Sequence, residues 1–202
     1  MKKSLLILPL VLLASALALS ACGGGSSSSG GGEEGAIEEA IETAATTSDP
    51  SKCSEVQTQT FNETETGTTG AKSLEVCEEE AEEESELPAE SVTVSQIEIE
   101  GEEAAAEVAI EGGALNGQSV AVGLQKEEGD WKLDAFIGFT QYDAAGIAAT
   151  LEEKLGEEEG VSPELASCVA EGVEEMSKEE AGEMVFEKNT EVLEPIVAAC
   201  NE

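Results

Sequence analysis

From residue 36 onward the apolar positions recur at helical spacing. Ile37, Ile41, Ala44 and Ala45 fall on one stripe with glutamates opposite, the pattern of an amphipathic helix. Ser48-Asp49-Pro50 offers a cap with proline at the first helical position, which predicts a short helix through Cys53 and Val56 towards Phe61. Gly67 and Gly70 interrupt that segment. A third helix is predicted from about Ala71, with Leu74, Cys77, Glu78 and Ala81 on adjoining turns and Leu87-Pro88 as its end. At Ser91 the apolar period falls from about 3.6 residues to about two. Val92 and Val94 keep one parity and Ile97 and Ile99 the other, which predicts a β-bulge near Ser95 and Gln96. Ala104, Ala106, Val108 and Ile110 then share one face, as do Val120, Val122 and Leu124, and finally Trp131, Leu133 and Ala135. Turns at Gly101, at Asn116-Gly117 and between Glu127 and Asp130 make these strands an antiparallel meander. Pairing Leu124 with Leu133 sets Val122 opposite Ala135 and gathers the large apolar groups on one covered face.

Residues 140–202 return to helical spacing and are predicted to form a small all-α domain. Tyr142, Ile147, Leu151 and Leu155 make the first stripe. Ser162-Pro163 starts a second helix with Leu165, Cys168, Val169 and Val173 inward. Ser177 and Glu180 form a capping box for a third, which carries Met184, Val185 and Phe186. The last helix holds Val192, Ile196, Val197 and Cys200, and tolerates Pro195 only within its first turn.

The N-terminus has a different pattern. Lys2 and Lys3 precede an apolar run from Leu5 to Leu19, the length of a signal-peptide core and too short for a bilayer-spanning helix. The run ends in Leu19-Ser20-Ala21-Cys22, which resembles the lipobox of bacterial lipoproteins. That resemblance implies removal of residues 1–21, lipid on Cys22, and attachment to the cell membrane on its extracytoplasmic side. Residues 22–35 follow as a Gly/Ser linker, a flexible coil.

Five cysteines are present. With Cys22 taken by lipid, the other four allow three pairings. Cys53 with Cys77 and Cys168 with Cys200 is the most economical, each closing a local loop, and free buried thiols are the alternative.

Charge narrows the function classes. Acidic residues number 45 against nine basic ones, all lysines, for a formal charge of −36 without a single histidine or arginine. Nucleic acid is excluded as a partner, since its binding needs a basic face. Histidine-dependent catalysis and the usual zinc sites go with it. No metal and no cofactor is expected. The glutamates between Glu78 and Glu86 lie along a predicted helix and lack the Asp/Asn/Gly loop of a calcium site, so they are read as a solvated face. A body this acidic is also repelled by anionic lipid, which leaves acyl chains to hold it.

The whole arrangement resembles the cone-shaped nuclear transport factor 2-like (NTF2-like) fold. Residues 36–139 are similar to small exported lipoproteins of high-GC Gram-positive bacteria. The similarity rests on Cys53 followed by Thr58, Thr60 and Phe61, on Cys77, and on the stretches VSQIEIEGEEAAAEVAI and NGQSVAVGLQKEEGDWKLD. Residues 140–202 resemble disulfide-clasped helical segments of actinobacterial secreted proteins. The fold class implied is α+β, with helices packed on a curved antiparallel sheet, followed by the small helical domain.

Enzymes of the NTF2-like family, of polyketide-cyclase or ketosteroid-isomerase type, use a pocket between sheet and helices. Their acid and base do not map here: Asp134 has outward parity and Tyr142, the one tyrosine, lies beyond the sheet. No catalytic residue is therefore assigned. Phe61, Trp131 and Phe136 are the candidate pocket residues. Trp131 can be cleft wall or core, and its position beside Leu133 favours core. The expected function is non-enzymatic binding of a small ligand or an envelope protein, with an accessory subunit of an envelope complex, or an enzyme, as alternatives. Asn62-Glu63-Thr64 matches a glycosylation sequon and is given no weight.

Overall fold

The stripe at Ile37 and Ile41 becomes α1 (Glu33–Thr46), with Ile37, Ala40 and Ile41 buried. A computed structural model describes residues 32–82, 88–158 and 160–201. Cys22, the segment read as a signal peptide, the expected linker as far as residue 31, and Glu83, Glu84, Glu86 and Leu87 lie outside the described residues; residues 33–35, read as the linker's end, are the first turn of α1. The helix begins at Glu33 because two glutamates in its first turn suit the positive end of the helix dipole.

The segment expected as one short helix is two. α2 (Lys52–Glu55) and α3 (Gln59–Thr66) are separated by an extended stretch that runs beside the last strand. There Leu133 N–H donates to Val56 O, and Thr58 N–H donates to Leu133 O. Thr58 then caps α3 by accepting from Phe61 N–H, so cap and strand-like pairing together outweigh helix continuity. α4 (Ala71–Glu82) follows.

The sheet is a four-stranded antiparallel meander in chain order: β1 (Ser91–Glu100), β2 (Glu103–Glu111), β3 (Ser119–Glu127) and β4 (Asp130–Gln141). The register between β1 and β2 shifts between Ser95 and Glu98, with Gln96 at φ 51°, where the change of parity demanded a bulge. Leu124 pairs with Leu133 as expected, but Val122 pairs with Phe136 rather than Ala135. Of the three register shifts along the β3/β4 ladder, the one between Leu124 and Gly123 causes this. An extra residue on β4 flips the following side chains to the other face. The result is that Phe136 and Phe139 share the covered face with Leu133, while Ala135 and Ile137 are exposed.

α1 lies across this face against β1 and β4, and α3 packs on β4. Beyond the sheet come α5 (Ala144–Glu157), α6 (Pro163–Glu174), α7 (Lys178–Phe186), a 3₁₀ turn (Thr190–Leu193) and α8 (Glu194–Cys200). Ser162 caps α6 and the Ser177/Glu180 box caps α7. Pro195 falls in the first turn of α8, where it costs no hydrogen bond. Gln118, 1% exposed, joins the sheet to α5 as a peptide would: its Oε1 accepts from Asp143 N–H at 2.9 Å and its Nε2 donates to Asp143 O at 3.0 Å. α7 packs on β4, where the Phe186 ring lies 5.2 Å from that of Phe136 and 4.6 Å from that of Phe139. Two disulfides, Cys53–Cys77 and Cys168–Cys200, complete the framework.

Candidate functional site

Between the covered face of the sheet and the helices is a cavity of about 320 Å³. Its floor is sheet: Val108, Ile110, Val120, Val122, Leu133 and Phe136. α1 contributes Ile41, Ala44 and Ala45, α3 contributes Phe61 and Asn62, and the Cys53–Cys77 disulfide forms part of the wall. The loop from Gly112 to Leu115 and the end of α7 close the rest. Apolar residues at every second strand position build the floor, and the bulge in β4 after Leu133 brings Phe136 into it, its ring 5.5 Å from that of Phe61.

Two of the three candidate pocket residues, Phe61 and Phe136, therefore meet at the cavity. Trp131 does not line it. It is 4% exposed at the start of β4, with the Lys126 ammonium 5.3 Å from its ring centroid, a cation–π arrangement. Lys126 in turn pairs with Glu33 of α1. The register shift between Leu133 and Ala135 separates Trp131 from Phe136: the tryptophan packs at the β3/β4 turn, and the phenylalanine sits one bulge further along.

Polar groups are few inside and more frequent at the rim. Asn62 is 3% exposed, and its Nδ2 donates to Cys53 O at 2.8 Å. Its Oδ1 has no hydrogen-bond partner among the described residues. At the rim, Lys188 pairs with Glu65 at 2.9 Å and Lys52 pairs with Glu55. The backbone N–H of Ser51 and then its hydroxyl hold the Asp49 carboxyl below its ordinary range, and the hydrogen bond to Glu55 holds the Lys52 ammonium above its own.

Asp134 is not in the cavity wall. It accepts from the Thr58 hydroxyl at 2.7 Å and so pins the start of α3 to β4. Tyr142 stacks near Phe139, at 5.2 Å between ring centroids, and burial pushes its phenol above the ordinary value. Neither residue faces another titratable group across the cavity.

The residues at the site that sequence reasoning passed over are Asn62, Gln57, Lys188 and the 112–115 loop. Asn62, noted in the sequence only within a sequon, has a buried side chain. One signal was present: on α3 it stands beside Phe61, within a turn that Thr58 caps. Comparison with protein-family models, curated proteins and solved structures gave no match for this chain.

Proposed function

We propose that this chain is a lipid-anchored extracytoplasmic protein that binds a small, mostly apolar ligand, without catalysis, in the cavity of a cone-shaped NTF2-like domain. The observation that carries the binding reading is the cavity itself. Its volume of about 320 Å³ falls at the lower end of small-molecule sites, which run from about 300 to 1,000 Å³. It has what such sites have: apolar walls, an aromatic pair and a small number of polar groups. Helices laid over the covered face of an antiparallel sheet support the NTF2-like reading. On the same reading, the helices after β4 are a small second domain held by Cys168–Cys200. The anchor rests on Leu19-Ser20-Ala21-Cys22.

Titration with the neutral fluorophore N-phenylnaphthylamine tests the binding. Saturable binding of one probe per chain is expected. Ala44→Trp, which fills the cavity from α1, should abolish it while leaving the circular dichroism unchanged. Non-saturable binding, or binding indifferent to Ala44→Trp, defeats the proposal. The anchor is checked separately: the mature protein should carry acyl mass on residue 22 and partition into detergent, and Cys22→Ser should do neither.

A further inference from the structure

We infer that the ligand presents a hydrogen-bond donor, such as a hydroxyl, and that an anionic or acceptor-only head is selected against; this rests on the ligand-binding reading above. The polar groups of the cavity lining carry the inference. Two donors of the lining are already engaged: Asn62 Nδ2 donates to Cys53 O, and the Thr66 hydroxyl donates to Asn62 O at 2.7 Å. Asn62 Oδ1, on a side chain 97% buried, has no partner among the described residues. A buried acceptor without a donor is a standing penalty that a ligand hydroxyl or amine removes and an ether or carboxylate does not.

Charge points the same way. The two lysines in the cavity lining, Lys52 and Lys188, are each paired with a glutamate, and three acids, Asp49, Glu65 and Glu80, share the lining with them. An anion reaching the rim meets no net positive charge, and it must first approach a chain of formal charge −36.

The test uses the full chain and three probes with the same decyl body: decanol, its methyl ether and decanoate, each displacing N-phenylnaphthylamine. Decanol is expected to bind at least about tenfold more tightly than the ether, the equivalent of about 1.4 kcal/mol, and more tightly still than decanoate. The decanol–ether pair is neutral, so the overall charge of the protein does not contribute to it. Asn62→Leu should bring decanol and the ether to equal affinity while fluorophore binding persists, which also reports that the cavity is intact. Equal binding of decanol and the ether by the unaltered protein, or preference for decanoate, overturns the donor requirement and leaves ligand binding standing. Failure of the fluorophore and all three probes to bind removes the ligand-binding reading, and the donor requirement with it.

Discussion

Each of the two disulfides holds a helix that buries little, α4 or α8, yet the two corners differ. Cys53–Cys77 joins α2 to α4, in which Ser73 is buried and Leu74 and Cys77 are half-buried. Cys168–Cys200 joins α6, which buries Ala166, Val169, Ala170 and Val173, to α8, where no residue is fully buried among those described. The loops closed span 24 and 32 residues, so chain entropy assigns them nearly the same stabilisation, about 3 to 4 kcal/mol each. The difference lies in packing. At the second corner Ile196 rests directly on Gly172, so closely that a Cβ on residue 172 would lie 2.3 Å from Ile196 Cγ2. At the first corner the disulfide and α4 border the cavity. A covalent link of similar strength thus reinforces contact in one place and holds a wall over empty space in the other.

The largest expected effect comes from removing the links one at a time. Cys53→Ala/Cys77→Ala and Cys168→Ala/Cys200→Ala should each cost about 2 to 5 kcal/mol in denaturant unfolding. Hydrogen exchange should separate them. Without Cys53–Cys77, α4 should lose protection far below the global unfolding free energy and N-phenylnaphthylamine binding should weaken, whereas without Cys168–Cys200 the amides of α8 should keep protection from the Ile196/Gly172 contact. Equal loss of protection in α4 and α8 would show the corners to be alike.

Caps give the next effect. Thr58 is 2% exposed and both caps α3 and donates to Asp134, whereas Ser177 caps α7 at the surface. Thr58→Ala should cost about 2 kcal/mol and Ser177→Ala about 1, measured by the same unfolding curves. A reversed order would mean that the Thr58–Asp134 link adds nothing.

The glycine contact can be sharpened within the second corner alone. Gly172→Ala should destabilise by about 1 to 3 kcal/mol, because the new methyl group must displace Ile196. Gly156, in α5, has nothing within 4 Å of its would-be Cβ. Gly156→Ala should stabilise by about 0.4 to 1 kcal/mol through the unfolded chain. Gly172→Ala that is neutral would show α8 to be loosely seated.

The smallest effect is acid dependence. Hydrogen bonds from the Gln59 side chain and then Gly70 N–H hold Glu63 below its ordinary 4.5, and those from Ser177 N–H and then its hydroxyl do so for Glu180. A carboxyl whose folded value is lowered contributes stability that is complete above 4.5 and is lost as pH falls through the folded value. Glu63→Gln and Glu180→Gln should therefore each narrow their Tm deficit relative to the parent chain below about pH 4.5. The parent comparison removes the general relief of repulsion that acid brings to so many glutamates. A deficit constant with pH would place the effect elsewhere.

Elements whose signal is local were legible in the chain. The stripe at Ile37 and Ile41, the Ser162-Pro163 start and the Ser177/Glu180 box lie where their spacing predicts, because caps and amphipathic faces are set within one or two turns. The bulge near Gln96 was legible for the same reason, as a change of parity within one strand. The break between α2 and α3 was not: it depends on Val56 and Thr58 meeting Leu133, far along the chain.

What the sequence by itself determined is therefore the kind and order of the elements whose signals are local, and the strong acidity of the chain. What tertiary structure decided is which aromatic groups meet. Strict alternation along β4 places Trp131, Leu133 and Ala135 on one face; two register shifts against β3 put Phe136 and Phe139 there instead and leave Ile137 exposed. A bulge in a paired strand is chosen by how the ladder and the side chains above it fit together, with Gly123 opposite Ala135 and Phe186 lying over Phe136 and Phe139. That fit is a property of strands and helices brought together from distant parts of the chain. The same non-local fit buries Asn62 beside a disulfide, since a sequon carries no information about the wall against which its helix will pack.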